Sequence, residues 1–400
     1  MNFLKRNIPS GWALKKMPDV VKWSSGGTPK ATEKSYYENG TIPWLIIGDL
    51  NDGVVTSSAS KITELGLQNS NAKMIPVGTL LVAMYGSIGK LGITGIECCT
   101  NQAIAYAKEL KGVSTKYMYY YMAMMKSELI SQGKGGTQKN ISQTVLNSLE
   151  VLVPPEKEQE RIVNKIEELF SELDSAVETL KKTKEQLAVY RQSVLKDAFA
   201  QFSHKEKIKD LSEFVTSGSR GWAQYYSDDG ARFIRITDLT RDRIVLKNDD
   251  IQYVALPDNV EGKRSRLEPN DILVSITADL GSIALIPKDI QEAYINQHIA
   301  LVRLSNPEIA KFTALYLKSD WGQKDLLKNK RGGGKMGLGL DDIRNTPIPV
   351  VSTDIANKIV SQIESRLSAC ENIEKTVNDA LIQADAMRQS ILKKAFEGEL

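Results

Sequence analysis

The stretch Arg191-Gln192-Ser193-Val194-Leu195-Lys196-Asp197-Ala198-Phe199 returns near the end of the chain as Arg388-Gln389-Ser390-Ile391-Leu392-Lys393-Lys394-Ala395-Phe396. The offset is 388 − 191 = 197 residues, and it also carries Ile162-Val163 onto Ile359-Val360 and Ile166-Glu167 onto Ile363-Glu364 without a gap. Each copy is a globular-looking stretch of about 150 residues followed by a helical stretch of about 45, and self-similarity at a fixed period marks a repeated structural unit. Two similar modules in one chain suit the reading of a two-part target.

The helical stretches carry the strongest secondary-structure signal. Apolar residues alternate in steps of four and three through Ile162, Ile166, Leu169, Leu173, Ala176, Leu180, Leu187, Tyr190 and Val194, with Thr183 the one polar break. Pro154-Pro155 stands just before, where proline suits a helix start. The second copy continues with Ile359, Ile363, Cys370, Ile373, Val377, Ala380, Ala384, Met387 and Ile391; Arg366 departs from the seam, with Leu367 beside it as a substitute. Heptad spacing sustained over more than four heptads predicts a coiled coil. Connectivity makes it antiparallel, because the second globe begins just past the first helix, across Ser203-His204-Lys205-Glu206-Lys207. The second helix must therefore run back toward the first globe. A helix over 156–199 would span about 66 Å at roughly 1.5 Å per residue. The expected class is α+β: two similar mixed α/β domains separated by two long helices in an antiparallel coiled coil, with a pseudo-twofold internal repeat. Its expected boundaries are 1–153, 154–202, 203–349 and 350–400.

The globes share an outline with different loops. Trp44-Leu45-Ile46-Ile47, Thr79-Leu80-Leu81-Val82-Ala83-Met84 and Ala103-Ile104-Ala105-Tyr106 read as strands, and 115–131 as a helix. Ile42-Pro43-Trp44 through Asp49-Leu50 is echoed by Ala231-Arg232-Phe233 through Asp238-Leu239, and Asn101-Gln102-Ala103 by Asn296-Gln297-His298. Both globes close on a glycine-rich basic loop: Gln132-Gly133-Lys134-Gly135-Gly136-Thr137-Gln138-Lys139-Asn140, and Lys328-Asn329-Lys330-Arg331-Gly332-Gly333-Gly334-Lys335-Met336. Glycine lets backbone N–H groups approach an anion, and lysine or arginine supplies charge for phosphate. The candidate DNA-contacting set is Lys134, Thr137, Gln138 and Lys139 with Ser87 and Lys90 in the first globe. In the second it is Arg220, Arg235, Lys328, Lys330, Arg331 and Lys335. The wider cluster of Arg232, Arg241, Arg243, Lys247, Lys263, Arg264 and Arg266 is interrupted by Asp238, Asp242, Asp249 and Asp250, so a solvated surface explains it.

Composition narrows the classes. Hydrophobic residues make up 42% and charged residues 25%, ordinary for a globular protein. The net charge of +3 is too mild for a basic tail, so any DNA-binding charge must gather on one face. The sequence has no run of eighteen apolar residues, and Met1-Asn2-Phe3-Leu4-Lys5-Arg6 lacks a signal-peptide core, which predicts a cytoplasmic protein with no membrane contact. Cys98, Cys99 and Cys370 suggest no disulfide framework. With only His204 and His298, zinc sites and histidine triads are hard to build, and no catalytic residue or metal site is expected. Gly86-Ser87-Ile88-Gly89-Lys90-Leu91 has the wrong spacing for a nucleotide phosphate loop. The chain reads as a reader, not a catalyst.

Along its whole length the sequence resembles the specificity subunits of type I restriction–modification systems. The motifs are Ile8-Pro9-Ser10-Gly11-Trp12 at the start, Pro154-Pro155 with Glu158-Gln159 and Arg161-Ile162-Val163 at the central helix, and Arg388 through Leu400 at the end. The resemblance implies two target-recognition domains, each reading half of a bipartite site in double-stranded DNA. It implies helices that dock two modification (methyltransferase) subunits, with restriction subunits joining. S-adenosylmethionine, ATP and Mg would belong to those partners, with no cofactor in this chain. Two departures stand out: Val351-Ser352-Thr353-Asp354 replaces the Pro-Pro entry in the second copy, and Ala200-Gln201-Phe202 replaces the Glu397-Gly398-Glu399-Leu400 ending in the first. The alternative from another class is a double-headed coiled-coil adaptor that binds protein partners without DNA.

Overall fold

The computed structural model describes residues 8–135, 139–257, 263–328, 330–331 and 336–400. Two compact units make up the chain, one running to Thr179 together with Ala380–Leu400, the other Leu180–Asp379. Each unit thus holds one globe, part of one long helix and part of the other.

In the first unit the strands are β1 (Val21–Ser25), β2 (Gly53–Val55), β3 (Leu80–Ala83), β4 (Leu91–Thr94) and β5 (Ile104–Leu110). They form one sheet in the order β1-β5-β3-β4-β2. The central strand β3 is buried along its length. Leu80 and Val82 enter one core with Tyr117 and Met118, while Leu81 and Ala83 enter a second with Leu45 and Ile75. Burial on both faces explains why this strand is a continuous apolar run and not an alternating one. The helix α1 covers Thr115–Met124, capped by the Ser114 hydroxyl, which accepts from the Tyr117 N–H. The helix expected over 115–131 breaks at Met125 and resumes as a separate short helix over Lys126–Ser131.

The second unit repeats the plan with β6 (Ser212–Ser217), β7 (Ile272–Ser275), β8 (Ile283–Leu285) and β9 (Ile299–Leu304) in the order β6-β9-β7-β8. Ile272 and Val274 face a core with Phe312, and Leu273 faces another with Leu301. The covering helix is α3 (Ala310–Lys318).

The long helices are α2 (Glu156–Phe199) and α4 (Thr353–Glu397). Within the first unit, Arg161 donates to the Leu400 carbonyl at 2.6 Å and Arg388 pairs with Asp174. Within the second, Lys184 meets Asn378 at 3.1 Å and Arg191 meets Glu374 at 2.7 Å. Rising numbers on one helix meet falling numbers on the other, so the pairing is antiparallel in each unit. Ile162, Ile166, Ile359, Ile363, Cys370, Val377 and Ala384 are buried, and Leu169, Leu173, Leu180, Leu187 and Ile391 are half-buried.

A minority of the seam positions are shifted by one residue. Ile373 and Met387, expected inside, are 46% and 55% exposed, and Ala176 and Tyr190 also face out. Leu367, Glu374, Leu381 and Arg388 take the inner places on α4, as Val177 and Arg191 do on α2. The cause is electrostatic as much as steric: Glu374 and Arg388 are held inside by ion pairs that a hydrophobic pattern does not register.

Candidate nucleic-acid interface

One end of each sheet gathers three loops. In the first unit the chain leaves β3 through Met84-Tyr85-Gly86-Ser87-Ile88-Gly89-Lys90, where Gly86 and Gly89 take positive φ of 62° and 74°. The Met84 N–H donates to the Ala103 carbonyl at 2.8 Å, and the Ile141 N–H donates to the Met84 carbonyl at 2.9 Å. These two bonds zip the Asn101-Gln102-Ala103 turn and the glycine-rich loop onto the strand end. Reciprocal bonds between Lys134 and Asn140, at 2.9 and 2.8 Å, form the neck of that loop.

The second unit builds the same junction. The Ile276 N–H donates to the His298 carbonyl at 2.9 Å, and the Leu338 N–H to the Ile276 carbonyl at 2.9 Å. Arg331 and Gly337 form the neck of its glycine-rich loop with bonds of 3.0 and 2.8 Å. Since 331 − 134 and 337 − 140 both equal 197, the necks belong to the same repeat as the helices.

Most of the expected contact residues converge here. Ser87, Lys134 and Lys139 are exposed and Lys90 is half-buried, while Lys328, Lys330 and Arg331 are exposed at and just before the second neck. Among the described residues, Lys90, Lys134, Lys139, Lys328 and Lys330 make no ion pair, so their charge is available to phosphate. Arg331 meets Asp342 at 3.3 Å yet keeps 80% of its side chain exposed. Arg220 is exposed beside the bridge between Ser219 and Asn296, at the same edge. Gly218 makes that approach possible, since a Cβ there would sit 1.9 Å from the Ile295 carbonyl oxygen. Thr137, Gln138 and Lys335 lie outside the described residues.

Arg235 does not belong to this set. Its guanidinium is spent on Asp250, at 2.7 Å to the carbonyl and 3.0 Å to the carboxylate, with Asp238 at 3.5 Å. Arg241 and Arg243 are likewise taken up by Asp279 and by Glu371 and Glu374. Residues at the edge that composition did not single out are Tyr85, 45% exposed, Gln102, and Thr277 bonded to His298 at 2.7 Å between Oγ1 and Nδ1. The echo of Asn101-Gln102 in Asn296-Gln297 was the available signal.

This duplicated edge has counterparts in known proteins. The family described as type I restriction modification DNA specificity domain matches residues 9–188 and again 205–383. The chain belongs to that family. It is 24% identical to the EcoBI type I restriction enzyme specificity subunit of Escherichia coli, over 98% of this chain and 87% of that one. It is 24% identical to the MjaIX specificity subunit of Methanocaldococcus jannaschii, over 98% of this chain and 94% of that one. In fold it is similar to a chain from a study of complex assembly and conformational transition in a type I R-M system, with a TM-score of 0.76 at 15% identity, covering 98% and 100% of the two chains. It is also similar to the HsdS subunit from Thermoanaerobacter tengcongensis, with a TM-score of 0.53 at 15% identity over the full length of both.

In this member of the family each unit also carries a cleft where its covering helix meets the long helices. The first, of about 630 Å³, is lined by Tyr119, Tyr120, Phe170, Asp174, Asp385 and Arg388 among others. The second, of about 450 Å³, is lined by Leu195, Ile244, Val245, Leu315, Lys318 and Leu367 among others. Repeat partners face each other across them: Lys116 pairs with Glu167 in the first, and Lys311 with Glu364 in the second.

Proposed function

We propose that each globe reads one half of a bipartite duplex DNA site through its three-loop edge, as the non-catalytic reader of a type I restriction–modification complex acting in the cytoplasm. The supporting observation is the duplicated edge itself. The backbone junction is the same in both units, while the side chains it presents differ: Tyr85 and Ser87 in one, Thr277 and Asp279 in the other. Lysines beside the two loop necks position the DNA backbone, and sequence is read by groups that reach base edges.

The partners in this reading are two modification subunits docked on the helices, with restriction subunits joining them. The exposed apolar side chains of α2 and α4 support that role, Val189 and Ile373 in the second unit and Ile382 and Met387 in the first. S-adenosylmethionine, ATP and Mg are assigned to those partners. The test is to replace residues 1–153 with the matching globe of a relative and map methylated positions across a genome. One half-site should change and the other persist; simultaneous change of both would exclude independent readers.

A further inference from the structure

The second unit's cleft holds a buried lysine with no contact ion pair among the described residues. Lys318, at the end of α3, is 6% exposed and lines the cleft. Its ammonium makes no hydrogen bond or ion pair with any described residue. Every other charged residue of the lining has a counter-ion: Arg191 has Glu374, Lys311 has Glu364, and Arg243 has Asp242 and Glu371. The remaining wall is largely apolar, with Leu195, Ile244, Val245, Leu285, Pro287 and Leu315. A buried ammonium without a partner is costly, so such a group persists where something supplies the missing charge. Burial is the largest cause of a pKa lowered to about 8, and Arg241 adds to it; Asp242 and Asp279 act on the amine from beyond contact distance and offset only part of that shift.

We infer that this cleft receives an apolar peptide segment carrying a carboxylate, with Lys318 as the counter-ion of that carboxylate. Charge complementarity and the apolar walls choose this occupant. The inference rests on the proposed docking of modification subunits, from which the segment would come. It also makes the two docking sites unequal. By the offset that carries Tyr121 onto Tyr316 (316 − 121 = 195), the counterpart of Lys318 is Ala123. In the first cleft the cations Lys126 and Arg388 are already paired with Asp52 and Asp174, and Asp385 adds a negative charge. One kind of segment therefore meets opposite charge in only one of the two clefts.

The test uses the intact chain assembled with its modification subunit. Lysines are acylated briefly at pH 8, where the free amine of Lys318 reacts, and modification is read by mass spectrometry, with exposed Lys209 as the internal reference. Subunit number is read by native mass spectrometry. Assembly should slow acylation of Lys318 at least tenfold and leave Lys209 unchanged. Lys318→Glu should reduce two modification subunits per chain to one, and Lys318→Met, which keeps the bulk without the charge, should weaken the second at least tenfold. A two-to-one complex in which Lys318 acylates as fast as in the free chain would overturn the inference and leave the partner reading standing. Failure of the unaltered chain to bind any modification subunit would overturn both.

Discussion

The two units place the same aromatic lock on opposite parentage. In the first, Phe396 from the end of α4 sits edge-on to Tyr117 and Tyr121, with ring centroids 5.1 and 5.5 Å away. In the second, Phe199 from the end of α2 sits edge-on to Phe312 and Tyr316, at 5.2 and 5.4 Å. Each globe is thus locked by the end of a long helix, and that helix begins beside the other globe in sequence. The spacing of the rings is closely kept, although the second unit has Phe312 where the first has Tyr117.

Polar wiring is kept only in part: the Lys116–Glu167 pair recurs as Lys311–Glu364, but other contacts do not. Gln159, 2% exposed, accepts from the Ser114 N–H at 2.9 Å and donates to the Gly112 and Pro154 carbonyls at 2.8 and 3.1 Å. It ties the start of α2 to the cap of α1. Its counterpart is Ala356, which is fully buried and simply packs. Arg388 pairs with Asp174 and lies over the Phe170 ring at 5.0 Å, while Arg191 shares Glu374 with Arg243. The comparison teaches that the repeat preserves shape and lets hydrogen bonds and charges diverge.

The largest effect tests the shared lock. Phe396→Ala should destabilise the first unit by about 3–5 kcal/mol, and Phe199→Ala the second by a similar amount. Hydrogen exchange should show faster opening near Tyr117 in one case and near Phe312 in the other. Opening of both units by either change would mean that the locks are not separate.

A smaller effect tests the unequal wiring. Gln159→Ala leaves the Ser114 N–H and the Gly112 carbonyl without their partner and should cost about 1–3 kcal/mol. The loss should be read in the first unit by denaturant unfolding with exchange at Ser114 as the local probe. Wild-type exchange at that site in the variant would show that water replaces the amide without cost.

The smallest concerns acid. The hydrogen bond from Arg191 holds the Glu374 carboxyl below its usual range, and the nearby Arg243 adds to it. A depressed folded pKa contributes stability that is present above the unfolded value, about 4.3, and is lost as pH falls through the folded one. Below about pH 4 the wild-type second unit should lose stability that Glu374→Gln lacks at every pH. Parallel acid profiles for the two proteins would remove Glu374 from the seam's energetics.

Much of this protein was legible in one dimension. The 197-residue repeat, the two long helices and the double-globe plan follow from period and connectivity, since a heptad stripe over forty residues has few structural solutions. The places of the two glycine-rich loops in the repeat were legible too, because their necks recur at the same offset. Most of the apolar seam was legible as well, but its charged members were not. Arg388, Glu374 and Arg191 look like surface residues in a sequence, and only their partners across the helix pair place them inside. The same holds for Arg235, which reads as a free cation until Asp250 is brought to it from fifteen residues away. Hydrophobic periodicity reports what water rejects, and it is local to one helix or strand. Ion pairs, buried amides and the meeting of three loops at one sheet end depend on distances between segments, and those exist only once the chain has folded.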